Sequence, residues 1–162
     1  MRASQPFGFD NNLRVRVAVS DGERAMVQSM NDNSPLSGVT VLVVEDDLLL
    51  AMDLETTLVG AGAVVVDICH SLAKAMARAD EDDFAVAVLD FSLGSDSVTP
   101  LARRLARREV PFVLYTGMQR GEPRLMEWRD YPIVQKPASP HMLVSAIRTT
   151  LAREPSRRQG RR

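Results

Sequence analysis

The sequence predicts an α/β fold in which one parallel sheet of five strands is covered by helices on both faces. Three observations carry this prediction. Five short apolar runs recur from residue 39 onward, and they are continuous rather than alternating, as expected of strands buried on both faces. Segments with apolar residues at helical spacing separate the runs. Polar residues, several of them acidic, stand directly after most of the runs.

The predicted elements alternate in order along the chain. The strands are predicted over residues 39–44, 63–69, 84–89, 110–115 and 131–135. In the first helix, over residues 47–58, Leu50, Leu54 and Leu58 recur every four positions and predict one apolar stripe. The other helices are predicted around residues 72–79, 98–105, 122–128 and 140–151, and the one over 122–128 is only brief.

Composition excludes several classes of function. The chain has 162 residues, a formal net charge of -1 and 5% aromatic residues, so neither a basic field nor stacking aromatics indicates a nucleic-acid partner. The one cysteine, Cys69, cannot form an internal disulfide, and its apolar surroundings predict a buried small hydrophobe. No apolar stretch comes near the roughly 18 residues of a membrane span, and no signal-peptide core is present. We therefore expect a cytoplasmic protein without membrane insertion.

The two ends of the chain differ from the regular middle. Residues 1–37 mix polar residues with one apolar alternation, residues 13–19, which is typical of a strand or a short docking element. This extension ends in a linker-like segment and is predicted to be mostly disordered. Residues 38–152 form the predicted domain, and residues 153–162 form a basic tail that we expect to be disordered. The short tail predicts a stand-alone unit without an output domain.

Polar side chains follow the predicted strands at the points where the strands end. Glu45 and Asp46 follow the first strand, Asp90 the third, Thr116 the fourth and Lys136 the fifth. Ligand sites of such sheets lie beyond the carboxyl ends of the strands, so these residues are expected to share one cleft. Mg²⁺, which prefers oxygen ligands, would relieve the repulsion among the carboxylates. Taken alone, each residue is as readily a cap, a turn residue or solvated surface, and only their joint occurrence outweighs that interpretation.

The constellation resembles the receiver domain of two-component response regulators, over roughly residues 38–152. The motifs are VLVVEDD (41–47), AVLD (87–90), YTG (115–117) and QKP (135–137). The resemblance implies Asp90 as the phosphoacceptor, Thr116 as the switch hydroxyl and Lys136 as the essential lysine. It implies a flavodoxin-like (βα)5 fold with strand order 2-1-3-4-5. The implied ligands of Mg²⁺ are Glu45, Asp46, Asp90 and the backbone carbonyl of Ser92.

The same resemblance implies a role in a phosphorelay. Asp90 would take a phosphoryl group from a sensor histidine kinase or a histidine phosphotransferase, giving an aspartyl phosphate, and the protein would signal to a downstream protein by direct contact. It would not be an enzyme in the usual sense, because it catalyses only its own phosphorylation and dephosphorylation. The sequence specifies neither the kinase nor the downstream protein, and it leaves a homodimer open.

Three features depart from the pattern of the receiver family. Ile133 occupies the position of the usual switch aromatic, which puts the aromatic half of the usual coupling in doubt. The loop after Asp90 reads FSLGSDS in place of the common Met-Pro turn, and the brief fourth helix follows GMQRGEP. In the family, the residues two positions past the phosphoacceptor and the switch hydroxyl tune attack by water. Met118 cannot orient a water molecule, so we predict slow self-dephosphorylation.

Several alternatives remain open from the sequence. The fold could serve as a phosphorylation-independent interaction module or as a phosphate sink. A phosphoaspartyl-type hydrolase would need a second catalytic aspartate where Ser92 stands, and the arginines of the tail are too few to carry nucleic-acid binding alone. Asp47 could be only a helix cap, and His70 and His141 are interpreted as cap or surface residues. Trp128 either packs locally or helps to form a partner surface.

Overall fold

The computed structural model describes residues 34–81, 83–119 and 121–153. Its strands are β1 (Thr40–Val44), β2 (Val64–Cys69), β3 (Val86–Asp90), β4 (Ser92–Leu93), β5 (Asp96–Ser97), β6 (Phe112–Thr116) and β7 (Ile133–Gln135). Its helices are α1 (Leu48–Gly60), α2 (Leu72–Arg78), α3 (Thr99–Arg107), the 3-10 helix Pro123–Trp128 and α4 (Pro140–Leu151). Strands β2-β1-β3-β6-β7 form one sheet in that order, with all pairs parallel. This confirms the predicted order 2-1-3-4-5, since β4 and β5 form a separate hairpin.

The sheet separates two apolar layers, which is why its central strands are apolar on consecutive positions. Helices α2 and α3 and the 3-10 helix pack on one face, while α1 and α4 pack on the other. β1, β3 and β6 are buried almost throughout. Cys69 is fully buried at the end of β2, as predicted. None of the helices in the described part of the chain is long and apolar enough to cross a membrane.

Helix α1 differs from its predicted apolar stripe in one position. Leu54 and Leu58 are buried, but Leu50 is 38% exposed and Ala51 takes the predicted place in the core. Leu48 and Leu49, in the same first turn of α1, are exposed as well. The predicted stripe is therefore right for the second half of the helix and wrong at Leu50.

The packed structure begins earlier than the predicted domain boundary at residue 38. Residues 34–38 form a turn in which Leu36 is fully buried, and the Leu36 N–H donates to the carbonyl of Ala61 over 2.9 Å. The turn packs closely against Gly62, which has a φ of +90°. A Cβ at this position would lie only 2.7 Å from the Cβ of Ser34. The last four residues assigned to the extension thus belong to the fold. Residues 1–33 and 154–162 lie outside the described residues, so their predicted disorder stays a prediction.

An aromatic cluster packs at the 3-10 helix Pro123–Trp128, which is the brief fourth helix predicted from the sequence. The Phe112 ring stacks on Tyr131 with centroids 4.7 Å apart, and Trp128 meets both rings edge-on. Trp128 is buried, which confirms local packing over a partner surface for this residue. The helix itself is the brief element predicted, a six-residue 3-10 turn.

Strand β2 forms one edge of the sheet, and side chains form hydrogen bonds with N–H and C=O groups of its backbone. The Ile68 N–H donates to the Asp67 carboxylate over 2.7 Å, and the Lys74 ammonium donates to the Ile68 carbonyl over 2.9 Å. Lys74 and Arg78 also form ion pairs with Asp67 at 2.8 and 3.3 Å. Occupied groups of this kind discourage the pairing of another strand with an exposed edge.

Candidate functional site

The parallel sheet brings the predicted site residues to its carboxyl edge. Asp90 is the last residue of β3 and Thr116 the last of β6, while Glu45 directly follows β1 and Lys136 directly follows β7. The register of β3 with β6 pairs Asp90 with Tyr115, and that of β6 with β7 pairs Thr116 with Gln135. Adjacent strands therefore end at one level, and the side chains that follow them share one cleft.

The Lys136 side chain contacts two of the carboxylates that lie at the strand ends. Its ammonium nitrogen lies 2.6 Å from Glu45 Oε2 and 2.9 Å from Asp90 Oδ2. All three side chains are largely buried. Burial opposes the charge of Lys136, but the hydrogen bonds to Glu45 and Asp90 outweigh it and raise the pKa of this lysine. Lys136 therefore stays cationic at neutral pH.

Glu45 lies in an environment that disfavours its charge. Burial raises the pKa of this carboxyl, the hydrogen bond from Lys136 lowers it, and the nearby Asp90 carboxylate raises it again, so the net direction is upward. A second carboxylate interaction comes from the backbone, since the Asp47 N–H donates to Glu45 Oε1 over 3.3 Å. The acidic pair of Glu45 and Asp90 is thus only partly compensated by the one ammonium.

Glu45, Asp46 and Asp90 have the donor set and the spacing of a divalent-metal site. One carboxylate oxygen from each lies within 4.8 Å of the others. Three carboxylates against the single ammonium of Lys136 leave a formal charge of -2 in the cleft. Hard oxygen donors with this excess charge suit Mg²⁺, which commonly binds through one or two carboxylates together with water and phosphate oxygens. The residues present therefore fit the ion that the sequence implied.

The loop after Asp90 folds back over the acidic cluster. Its hairpin, β4 and β5, turns at Gly94, whose N–H donates to Asp46 Oδ2 over 2.8 Å. The Ser92 N–H donates to Asp90 Oδ1 over 3.2 Å. This places Ser92 beside Asp90, while the expected role of its carbonyl as a metal ligand stays a prediction.

Asp47, the third residue of the acidic run, caps helix α1. Its Oδ1 accepts hydrogen bonds from the N–H groups of Leu49 and Leu50 at 2.8 and 3.0 Å. These bonds satisfy two of the orphan donors at the start of the helix. The cap interpretation of Asp47 is therefore confirmed. This residue also fixes where the helix begins after Glu45 and Asp46.

Thr116 lies buried at the end of β6, with its hydroxyl held by the loop that follows. The Met118 N–H donates to Thr116 Oγ1 over 3.1 Å. The side chain of Met118 packs against the apolar layer. A group that draws the Thr116 hydroxyl away would break this bond and free the backbone of the loop at Met118.

Two contacts in this cleft were not expected from the sequence. His70 Nδ1 lies 2.8 Å from the carbonyl oxygen of Glu45. The second is the hydrogen bond that the Gly94 N–H donates to the Asp46 carboxylate. The only sequence signal for either was position, because His70 also stands directly after a strand and Gly94 lies in the loop after Asp90. His141, at the start of α4, is exposed as predicted.

Comparison with known proteins finds solved structures that are similar to this one. No family model and no curated protein matches the chain. The structure is similar to SdrG from Sphingomonas melonis Fr1, with a TM-score of 0.60 and 33% identity over 70% of this chain and 96% of that one. It is similar to the signal receiver domain of a modulated diguanylate cyclase from Desulfovibrio desulfuricans G20, with a TM-score of 0.63 and 25% identity over 71% and 94%. The response regulator PhyR from Brucella abortus shares the fold, with a TM-score of 0.59 and 22% identity over 82% of this chain and 56% of PhyR.

Proposed function

This chain belongs to the receiver domains of response regulators, and we propose that it accepts a phosphoryl group on Asp90 with the help of Mg²⁺ and Lys136. The single observation that carries the proposal is the contact of Lys136 with both Glu45 and Asp90, at 2.6 and 2.9 Å, beside the exposed carboxylate of Asp46. One ammonium can neutralise only one of the three carboxylates. The remaining negative charge around Asp90 favours the binding of a divalent cation.

Phosphoryl transfer to Asp90 requires positioning and charge neutralisation more than covalent assistance. One Asp90 oxygen attacks the phosphorus of a phosphohistidine, the P–N bond breaks, and its electron pair returns to the imidazole nitrogen. The product on this chain is an acyl phosphate. Bound Mg²⁺ would neutralise charge on the phosphoryl oxygens, with Glu45, Asp46 and Asp90 as its side-chain ligands. Lys136, which already contacts Asp90, is placed to meet another phosphoryl oxygen as a point charge.

The proposed consequence of phosphorylation passes through Thr116. Its hydroxyl is a hydrogen-bond donor that a phosphoryl oxygen on Asp90 can attract. Movement towards Asp90 would break the 3.1 Å bond from the Met118 N–H and release the loop after β6. Ile133 in β7 offers no ring to move with it, so we propose that the signal leaves through this loop rather than through an aromatic side chain.

We also propose that the exposed start of α1 receives the phosphodonor protein. Leu48, Leu49 and Met52 are 62%, 76% and 54% exposed, and they lie in the turns that follow Asp46 directly. Apolar side chains of this size are rarely left in water together without a partner. A histidine kinase or phosphotransferase must bring its phosphohistidine to Asp90, and burial of these side chains would stabilise that encounter.

The phosphoacceptor proposal is tested by incubation with Mg²⁺ and a small phosphodonor, followed by intact-mass measurement. Wild type and the matched control Asp96→Asn, an exposed aspartate in the neighbouring hairpin, are expected to gain one phosphoryl adduct. Asp90→Asn is expected to gain none. An adduct that persists in Asp90→Asn would contradict the assignment, and the lack of an adduct in wild type with any donor would favour a phosphorylation-independent interaction module.

The docking proposal is tested by comparing two sources of phosphate. We expect Leu49→Ser to slow transfer from a phosphorylated histidine phosphotransfer protein that serves the wild type. The same variant should react with a small phosphodonor at the wild-type rate. Val59→Ser, at the far end of α1 and 54% exposed, is the matched control and should change neither rate. Equal slowing by both variants, or slowing with the small donor as well, would contradict a docking role for the start of α1.

A further inference from the structure

His70 continues the ladder between β1 and β2 past the end of both strands. The last backbone bond of this ladder runs from the Glu45 N–H to the Cys69 carbonyl, over 3.0 Å. The ring of His70 then meets the carbonyl oxygen of Glu45 at 2.8 Å through Nδ1. A carbonyl oxygen only accepts, so Nδ1 carries the proton of this bond. Glu45 is therefore held to the end of β2 through both its N–H and its C=O.

This second bond acts on the peptide that joins Glu45 to Asp46. Its carbonyl is fixed by His70, and on the far side Asp47 is fixed by its cap bonds to Leu49 and Leu50. Asp46 lies between these two anchors and is itself exposed to solvent. Two other bonds lie close to Asp46: its side chain accepts from the Gly94 N–H, and the Asp47 N–H donates to Glu45 Oε1. The His70 bond adds a hold on the backbone carbonyl that precedes Asp46, which neither of these two bonds contacts.

We propose that His70 is a positioning residue for the cation site, holding the Glu45–Asp46 peptide so that the Asp46 carboxylate faces the cleft before the ion arrives. This inference rests on the proposed Mg²⁺ site. Groups that orient metal ligands from outside the coordination sphere reduce the ordering needed on binding. The bond requires only a proton on Nδ1, which both the Nδ1–H tautomer and the imidazolium provide. The clamp is therefore a matter of geometry.

The test uses two substitutions that differ in one property. Asn places its amide nitrogen at the same δ position as Nδ1 and can donate, whereas Leu fills a similar space with a methyl group and cannot. Mg²⁺ is titrated into the full chain, and the Gly94 amide, which contacts Asp46, is followed by NMR. We expect His70→Asn to keep the wild-type Kd within about twofold and His70→Leu to raise it about fivefold, the size of one hydrogen bond. His70 is exposed, so both variants are expected to fold; His70→Ala replaces the Leu variant if that one does not.

A second background separates positioning from a general loss of stability. In Asp46→Ala, His70→Leu should weaken Mg²⁺ binding no further, because the ligand that the clamp orients is gone. Equal affinity of His70→Leu and wild type would overturn the inference while leaving the Mg²⁺ site in place. Equal weakening in the Asn and Leu variants would also overturn it. No binding by the wild type would overturn the proposed function, and this inference with it.

Discussion

Lys136 and Glu45 form the shortest of the described contacts in the cleft, with 2.6 Å between Nζ and Oε2. The same ammonium also lies 2.9 Å from Asp90, so one cation partly compensates two buried carboxylates. Removing a partner from a buried ionic group leaves uncompensated charge, which is far more damaging than the loss of a surface pair. Lys136 therefore has two separable roles: it stabilises the folded cleft, and it is proposed to stabilise the transferring phosphoryl group.

The first prediction concerns Lys136→Met. We expect phosphorylation by a small phosphodonor to fall about 100-fold, because a preorganised positive group beside the acceptor is lost. At neutral pH we expect the free energy of unfolding to fall by about 3 kcal/mol. That deficit should shrink at lower pH, because protonation of Glu45, whose pKa is already raised, removes one of the two unpaired charges.

Two variants check this interpretation of Lys136. Asp90→Asn added to Lys136→Met should restore part of the lost stability, since only one buried carboxylate then remains. Lys74→Met removes an exposed lysine away from the cleft and should leave phosphorylation unchanged. A Lys136→Met protein with wild-type phosphorylation would contradict the proposed role, and unchanged stability would contradict the compensation of the two carboxylates.

The second prediction concerns the lifetime of the phosphoryl group. Met118 packs its side chain against the apolar layer and offers the cleft only a backbone N–H, which donates to Thr116. No side chain at this position orients a water molecule, so hydrolysis of phosphorylated wild type should be slow. Met118→Glu should release phosphate several-fold faster, measured after the phosphodonor is removed. The control Met126→Glu changes an exposed methionine of the 3-10 helix and should have the wild-type rate. Rapid hydrolysis by the wild type that Met118→Glu leaves unchanged or slows would contradict this account.

The third prediction concerns the turn that precedes β1. Leu36 is fully buried against the layer that contains α1 and α4. We expect Leu36→Ala to lower the free energy of unfolding by about 3 kcal/mol in urea denaturation, through lost burial and the cavity left behind. Leu49→Ala is the matched control: Leu49 is highly exposed, so its loss should change stability by less than about 0.5 kcal/mol. Similar small effects of both substitutions would mean that the turn contributes little to the fold.

Much of the fold was predictable because its signals are local in the sequence. Continuous apolar runs and the polar residues that end them predict both the strands and the edge at which Asp90 and Lys136 meet. The burial of Leu36 was not predictable in this way. Its sequence context has the composition of a linker, and only the fit against Ala61 and Gly62 buries it.

The contacts that the sequence did not predict join residues far apart along the chain. Gly94 and Asp46 are 48 positions apart, and His70 and Glu45 are 25 apart. Each contact depends on how a loop folds over the edge of the sheet, and neither residue type marks that geometry by itself. The exposure of Leu50 has a related cause, since helical periodicity shows which residues share a face but not how far the covering layer extends.

The last prediction concerns pH and the ion pairs at the edge strand β2. The hydrogen bond from Lys74 is the main cause that lowers the pKa of Asp67 below its usual value, with smaller contributions from the Ile68 N–H and from Arg78. A carboxyl with a lowered folded-state pKa stabilises the fold above its ordinary pKa of 3.8, and this stabilisation is lost as the pH falls through the lower value. Because Lys74 is half exposed, we expect Asp67→Asn to lower the free energy of unfolding by only about 0.5 kcal/mol at pH 7.

The pH dependence is what distinguishes this pair from a general effect of the substitution. Urea denaturation of wild type and Asp67→Asn at several pH values should show a constant difference from pH 7 to about pH 5. The difference should then shrink as the pH falls below 3.8 towards the lower pKa of folded Asp67, because in this range the unfolded chain binds a proton that the folded chain does not. Asp53→Asn changes an exposed aspartate of α1 and is the matched control, expected to leave the free energy of unfolding at pH 7 unchanged. A difference that stays constant below pH 3 would show that the effect of the substitution does not come from the charge of Asp67.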